Sequence, residues 1–254
     1  MTEIKKNPIG LLSGSTLKLI GCILMAIDHI GYHLFPEVLI LRVIGRLSMP
    51  IFAFMIAEGC HYTKNKLKHF LLIFISGIIF LLGVRLFDNS WFGNILLQFS
   101  ISILYIYLLE FLKKLIFKSN HKILMLILSI LIFVVTLIPG TYLFKIFRFD
   151  YDFFVTLLPV AVSIFYLKDY SNHKVIKYID NLYVKLLITT IILIVVCFNT
   201  NYYHPLQWHC LLAIPLLLLY NEKAGCKKMK YFFYLFYPAH IAIIIGIKIL
   251  LTMM

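Results

Sequence analysis

Acidic residues are scarce in this chain, and several long stretches have none. Eleven Asp and Glu stand against 24 Lys and Arg, which gives a formal net charge of +13. The runs without an acidic residue include 71–82, 123–137, 186–196 and 241–251, and most extend toward the roughly 20 residues that span a bilayer. With 62% hydrophobic residues and a mean hydropathy of +0.94, the composition excludes an ordinary water-soluble domain.

Cysteine is sparse and scattered, and no two cysteines have C-x-x-C spacing. The sequence therefore indicates neither a zinc site nor a disulfide framework, and we expect no metal. The five positions are Cys22, Cys60, Cys197, Cys210 and Cys226.

The basic residues lie in short clusters between apolar runs, and no basic domain exists to contact nucleic acid phosphates. One cluster contains Lys64, Lys66 and Lys68, and others follow residues 112 and 222. This distribution is typical of cytoplasmic loops and predicts a multi-pass protein of the cell membrane with a cytoplasmic N-terminus. Segment 1–16 is polar and lacks a cleavage-site pattern, so the first apolar run is expected to be a retained helix.

The pattern predicts an all-α, polytopic membrane bundle of about nine helices (nine to ten) that forms a single domain over 1–254. Ser13 to Thr16 supply N-cap residues for the first helix, and Pro36 closes it. The nine predicted helices are 17–35, 38–60, 67–87, 94–117, 123–143, 151–167, 184–198, 206–220 and 231–252.

Four ionisable residues inside the first two helices mark the candidate functional region: Asp28, His29, Arg46 and Glu58. A charge at the bilayer centre costs about 2.5–3.5 kcal/mol on insertion scales, so such groups usually face a bundle interior or a water-filled cavity. His29 lies about 16 Å along the helix from Lys18, which places it at a depth similar to that of Arg46. His240 lies near the middle of the last helix, just after Pro238, and we expect it to approach the same region.

His29 is the candidate general base, because an imidazole titrates near neutral pH and a neighbouring carboxylate can orient it. Residues i and i+1 point about 100° apart on a helix, so Asp28 either contacts His29 or pairs with Arg42 or Arg46. The competing interpretation is that these residues form a polar cluster that only holds the helices together and has no part in catalysis or ligand binding.

Other polar residues carry weaker signals. His33 lies on the same helix face as His29, and with His209 and His240 it raises the question of haem, but the neighbouring cationic residues favour an anionic ligand. Glu58 can either bind a ligand or reach His61 or Tyr62 one turn on. Gln98 and Trp208 lie near predicted outer helix ends and are candidate acceptor-binding residues.

Residues 17–62 and three later segments resemble the TraX family of membrane proteins, whose named activity is N-acetylation of the conjugative pilin. The sixth helix departs from the family pattern, because Asp152 and Phe153 stand where the family tends to have glycine. The matching residues are Leu17-Lys18, Met25, Asp28-His29-Ile30-Gly31, Arg42, Gly45-Arg46-Leu47, Pro50 to Phe54, Glu58-Gly59, Gln207-Trp208, Tyr220-Asn221-Glu222 with Gly225, and Tyr237-Pro238-Ala239-His240.

The resemblance implies a place in the wider superfamily of transmembrane acyltransferases, where ten residues separate a basic residue from the catalytic histidine. Lys18 and His29 have that spacing. His29 would then be catalytic together with Asp28, and Arg46 would bind the donor or stabilise an oxyanion. The expected donor is acetyl-CoA or another acyl-CoA, held by Lys18, Arg42, Arg46 and Glu58. Tyr237, His240, Gln98 and Trp208 would position the acceptor.

The sequence therefore predicts a membrane acyltransferase that acts on an amine or hydroxyl of a peptide or glycan, with lipid as its surroundings and no nucleic acid partner. Two other interpretations stay open. A transporter can use the Asp, His and Arg cluster as a proton or anion site. A non-catalytic membrane component of a secretion or conjugation apparatus would not need His29 at all.

Overall fold

A computed structural model describes residues 10–88, 92–146, 148–149, 151–171, 173–200, 205–226 and 229–253. The described chain is almost entirely helical. Its α-helices are α1 (Gly14–His33), α2 (Leu39–Gly45), α3 (Ser48–Tyr62), α4 (Lys66–Asp88), α5 (Ile95–Lys118), α6 (Lys122–Ile146), α7 (Phe153–Ile164), α8 (Lys174–Ile179), α9 (Leu182–Thr200), α10 (Ala213–Leu218) and α11 (Lys230–Met253). A 3₁₀ segment, Pro205–Leu212, precedes α10, and the two-residue strands β1 (Phe92–Gly93) and β2 (Arg148–Phe149) pair in parallel.

The predicted all-α membrane bundle is confirmed, with a difference in the length of two segments. Among the described residues, seven helices are long and apolar enough to cross a membrane, and α2 and α3 together count as one of them. The predicted spans 151–167 and 206–220 correspond to the shorter apolar segments Phe153–Ile164 and Pro205–Leu218. Twelve residues of α-helix rise only about 18 Å, against a hydrocarbon core of about 30 Å. The predicted connector 168–182 also contains a short helix, α8.

The chain forms two compact units. The first unit contains residues Met1–Met55 and Leu193–Met254, and the second contains Ile56–Ile192.

In the first unit, the loop after α10 caps the N-terminus of α1. The backbone N–H groups of Gly14 and Ser15 donate to the carbonyls of Lys223 and Ala224, at 2.8 and 3.0 Å. These are donors that the first turn of a helix cannot satisfy internally. The N-cap is Ser13, one of the predicted candidates 13–16, so α1 begins three residues before the predicted start at 17; the Ser13 hydroxyl accepts a hydrogen bond from the Thr16 N–H. Gly225 has φ +79°, and a Cβ there would lie 2.0 Å from the Ser15 Oγ, so only glycine fits.

The predicted continuous helix 38–60 is wrong in one respect, because two residues in a turn separate α2 from α3. These residues are Arg46 and Leu47. Arg46 keeps right-handed helical dihedral angles, and its N–H still donates to the Arg42 carbonyl at 3.2 Å, so the turn interrupts the helix without leaving this donor unpaired. Arg46 is buried, and so is the preceding Gly45. The break therefore lies inside the first unit, and Arg46 is buried there.

In the second unit, α5 packs against α4, α6 and α7 through polar contacts as well as apolar ones. Asn94 caps α5 and also donates to the Gly77 carbonyl in α4, at 2.8 Å. The Tyr105 hydroxyl donates to the Thr136 carbonyl in α6, at 2.8 Å. The Ser102 hydroxyl donates to the Thr156 carbonyl in α7, also at 2.8 Å. These bonds join the helices through backbone carbonyls, as small polar side chains commonly do in membrane bundles.

Four buried charged residues hold the chain that follows α7. The Lys113 ammonium donates to the carbonyls of Ser163 and Tyr166, at 2.6 and 3.2 Å. The Asp180 carboxylate pairs with Lys185 at 3.0 Å and accepts hydrogen bonds from the backbone N–H groups of Leu167 and Lys168. The Lys185 ammonium lies 3.5 Å from the centre of the Tyr166 ring, and the Tyr166 hydroxyl donates to the fourth charged residue, Glu58.

Asp180 provides a test of this network. Burial alone raises the pKa of Asp180, but Lys185 and the two backbone donors outweigh it, so the pKa falls below its ordinary value. A carboxyl group whose pKa is lowered by folding adds its full contribution to the free energy of unfolding at pH values above its unfolded pKa of about 3.9. That contribution is lost as the pH falls through the folded pKa. We expect Asp180→Asn to lower the free energy of unfolding by about 3 kcal/mol at neutral pH, because Lys185 loses its buried partner.

The measurement is detergent-induced unfolding of both proteins at neutral pH and near pH 3. The difference between them should shrink toward pH 3, because protonation of Asp180 in the unfolded wild-type chain already removes part of its stabilisation there. Glu37→Gln is the control, since Glu37 is exposed. A difference that is equal at both pH values would contradict the role assigned to the Asp180 charge.

Candidate functional site in the first unit

The predicted polar residues of the first unit meet around α1. They come from the middle of α1, from the break between α2 and α3, from the 3₁₀ segment and from α11. Two contacts organise the site. One is an ion-pair cluster at Asp28, and the other is a pair of imidazoles, His29 and His240.

Asp28 pairs with arginines, which settles the alternative that the sequence left open. Its Oδ2 lies 2.8 Å from the Arg42 Nη1, and its Oδ1 lies 3.7 Å from the Arg46 Nη2. The Arg42 Nη1 also donates to the Asp28 backbone carbonyl, at 3.1 Å. The three side chains are between 10% and 19% exposed. Two guanidinium groups thus face one carboxylate, and the cluster carries one surplus positive charge.

Close approach of the helices makes this cluster possible. A Cβ on Gly45 would lie 2.2 Å from the Asp28 Cβ, so the backbone of α2 touches the Asp28 side chain directly. A Cβ on Gly31 would lie 2.7 Å from the Leu41 Cβ. Small residues at helix crossings allow such contact in membrane proteins. The two glycines therefore set the separation at which Asp28 reaches both arginines.

Arg46 also contacts the 3₁₀ segment. Its Nη1 donates to the Gln207 Oε1 at 3.4 Å, a long hydrogen bond. The Arg46 Nε and the Gln207 Nε2 are buried donors without a hydrogen-bond partner among the described residues. Buried donors without partners cost free energy, and together with the surplus charge they favour an oxygen that carries negative charge.

His29 and His240 form a hydrogen-bonded pair. The tautomer of each ring follows from the hydrogen bond between His240 and the Phe236 carbonyl. The His240 Nδ1 lies 2.9 Å from the Phe236 carbonyl, which can only accept, so this nitrogen carries a proton. In the neutral ring, the His240 Nε2 is then an acceptor. It lies 2.8 Å from the His29 Nδ1, which must donate. The His29 Nε2 therefore keeps its lone pair and can take up a proton.

The other predicted residues of the first unit lie around these contacts. The His33 ring centre is 6.3 Å from that of His29, and the buried Tyr237 contacts the His240 ring edge-on at 5.7 Å. Lys18 lies on α1 with its ammonium 5.9 Å from the centre of the Phe233 ring. Trp208 lies in the 3₁₀ segment and contacts the Phe198 ring.

Two predicted site residues belong to the second unit, where each has a local partner. Glu58, predicted to bind the donor, accepts a hydrogen bond from Tyr166. Gln98, predicted to bind the acceptor, is fully buried, and its Nε2 donates to the Asp152 carbonyl at 2.9 Å. Asp152, the departure from the family pattern, caps α7 by accepting from the Phe153 N–H at 2.8 Å.

Sequence reasoning missed two roles in the first unit. The expected approach of His240 to the His29 region is confirmed, but its hydrogen bond to the candidate base was not predicted. Gln207 was not selected, although it forms the hydrogen bond to Arg46. The signal for Gln207 was its place in the Gln207-Trp208 motif. The described residues contain no group of three or more His, Cys, Asp and Glu placed to hold a metal ion.

Comparison with known proteins supplies the family. The model of the family described as "TraX protein" matches residues 13–248, nearly the whole chain. The chain belongs to the TraX family. This confirms the resemblance seen in its motifs.

A curated relative adds little on function. This TraX family chain is 39% identical over 92 residues to the uncharacterized protein RP591 of Rickettsia prowazekii (strain Madrid E). The match covers 36% of the chain, and the chain spans about a third of the relative's length, 35%. No solved structure matches the chain.

Gly45→Ala tests whether helix contact holds the cluster. The new Cβ cannot fit beside Asp28, so α1 and α2 must separate and the Asp28 to Arg42 pair must lengthen. We expect a loss of about 1–3 kcal/mol in the free energy of unfolding, as for other overpacked sites. The measurement is the unfolding midpoint in detergent.

Gly246→Ala is the matched control, because Gly246 lies in α11 of the same unit with nothing within 4 Å of its Cβ position. Alanine there should be neutral or stabilising through helix propensity. Equal stability of the two variants would show that the contact between Gly45 and Asp28 is not tight.

Proposed function

We propose that this chain is an integral membrane acyltransferase that uses acetyl-CoA or another acyl-CoA as donor. The acceptor is an amine or hydroxyl of a peptide or glycan. The observation that carries the proposal is the pair of imidazoles, because it leaves His29 with an unprotonated Nε2 in a fixed orientation. The family resemblance, with its named pilin acetylation, supports the reaction class.

In the proposed reaction, the acceptor nitrogen or oxygen attacks the thioester carbonyl carbon while the His29 Nε2 removes its proton. The C–S bond then breaks, the thiolate leaves, and the proton on His29 passes to the sulfur. The products are the acylated acceptor and free CoA thiol. His240 orients the base, since its Nε2 accepts a hydrogen bond from the His29 Nδ1–H throughout.

Arg46 supplies the positive charge that the reaction requires. The tetrahedral intermediate places a negative charge on the carbonyl oxygen, and prearranged donors in a dry site stabilise it strongly. The Arg46 cluster has one surplus positive charge and a buried Nε without a partner among the described residues. Lys18 and the basic segments that we expect in the cytoplasm would attract the phosphates of the donor.

His29→Ala should lower the rate of acyl transfer by a factor of about 10²–10⁴, the usual contribution of a general base. His240→Leu should lose a smaller factor, because His29 remains but its orientation and tautomer are no longer fixed. The measurement is release of CoA thiol from acetyl-CoA by purified protein in lipid nanodiscs, with amine and hydroxyl acceptors supplied in turn.

His121→Ala is the control, since that imidazole is exposed on the loop before α6. A folded His29→Ala protein that transfers at the wild-type rate would contradict the mechanism. The transporter interpretation predicts electrogenic uptake into proteoliposomes without thiol release. The non-catalytic interpretation predicts that His29→Gln and Arg46→Gln leave function intact.

A further inference from the structure

The second unit contains a pocket of its own. Its volume is about 280 Å³, and it lies among the end of α3, the start of α4, the second half of α5 and the chain that follows α7. On α5, Ile106, Glu110 and Lys114 follow one another at intervals of four residues, so they line the pocket along a single helix face. The opposite wall includes Ser163, Tyr166, Asp169 and Tyr170.

This opposite wall is irregular backbone that buried charges hold in place. Lys113 binds the carbonyls of Ser163 and Tyr166, and Asp180 binds the N–H groups of Leu167 and Lys168. Buried charges in a membrane protein are expensive, and helix packing alone does not require them. A pocket wall held by a surrounding shell of hydrogen bonds is what a preorganised binding site requires.

The Tyr166 side chain is fixed on three sides. Its hydroxyl donates to Glu58, the Lys185 ammonium lies against one face of its ring, and the His61 imidazole stacks on the ring with a centre-to-centre distance of 4.0 Å. Both Tyr166 and His61 line the pocket. Lys185 and His61 cover the faces of the Tyr166 ring, so an apolar group in the pocket packs on the His61 imidazole and against the edge of the Tyr166 ring.

The charges that line the pocket are balanced in sign. Lys66 and Glu110 pair with each other. Lys114 has no carboxylate within ion-pair distance among the described residues, and the largely exposed Asp169 lies 3.7 Å from His61. Burial, Glu110 and Asp169 raise the pKa of Tyr170 to about 12, so its phenol is neutral at physiological pH. One ammonium and one carboxylate are thus available to a ligand.

These charges select the class of ligand. A simple anion would meet two carboxylates, and a simple cation would meet two ammonium groups, so either is opposed as strongly as it is attracted. A molecule with both charges can pair its carboxylate with Lys114 and its ammonium with Asp169. The pocket volume of about 280 Å³ admits a small molecule.

We propose that this pocket binds a small zwitterion of the α-amino acid type with an apolar or aromatic side chain. The carboxylate lies at Lys114, the ammonium at Asp169, and the side chain packs on His61 and Tyr166. The site is built from the second unit alone and does not depend on the proposed acyl transfer.

A matched series of three compounds tests the proposal on the full chain in lipid nanodiscs. L-phenylalanine carries both charges, 3-phenylpropanoate lacks the ammonium, and 2-phenylethylamine lacks the carboxylate. We expect saturable binding of L-phenylalanine at millimolar concentration, measured by calorimetry. Each analogue should bind about fivefold more weakly or worse, because one ion pair is missing.

Two variants locate the site. Lys114→Ala and Asp169→Asn should each weaken L-phenylalanine binding about fivefold. Lys118→Ala is the control, since Lys118 lies one turn further along α5, is exposed and does not line the pocket. The proposal fails if L-phenylalanine does not bind saturably, if either analogue binds as well, or if neither variant weakens binding.

Discussion

The ion pairs of Asp28 with Arg42 and Arg46 are the constraint on which the first unit depends. A carboxylate in the middle of a membrane-length helix is tolerable only with a cationic partner close by. Arg42 is fully helical, but Arg46 reaches Asp28 from a turn that interrupts the second span. Within that turn the N–H groups of Arg46 and Leu47 still donate to the carbonyls of Arg42 and Ile44. Three features follow from placing these three charges together. They are the glycine at position 45, the break after it, and the 3₁₀ segment whose Gln207 accepts a hydrogen bond from Arg46.

The same pairing determines how His29 is oriented. Because Asp28 faces the arginines, the candidate base needs another partner, and α11 supplies His240. The neutral imidazole of His240 has a different effect on His29 from the one a carboxylate in its place would have. It fixes the tautomer through one hydrogen bond, which the Phe236 carbonyl secures in turn, and it brings no negative charge into the site. The surplus positive charge at Arg46 is thus not cancelled by the group that orients the base.

The sequence predicted the parts of the fold that are encoded locally. Apolar runs located the spans, Ser13 marked the start of α1, and the charged residues of the first two spans identified the candidate site. Contacts between distant segments had no comparable signal. Glu58 and Tyr166 are 108 positions apart, and Arg46 and Gln207 are 161 apart. The break after Gly45 had a faint signal, since Pro50 follows in the first turn of α3, where its missing N–H costs little. Hydropathy alone could not detect it, because the flanking residues stay apolar.

The two units use buried charge in different ways, and the difference bears on function. In the second unit, the buried charged residues that hold the segment after α7 are two carboxylates and two ammonium groups, so their charges sum to zero. The Asp28 cluster has two cations for one anion, and within the described part of the chain the Arg46 Nε and the Gln207 Nε2 have no hydrogen-bond acceptor. In a medium of low dielectric, a surplus charge is stabilised most strongly by a counter-charge. In the proposed reaction that counter-charge is the developing oxyanion, which is why we propose a catalytic role for Arg46, whereas Glu58 accepts a hydrogen bond from Tyr166.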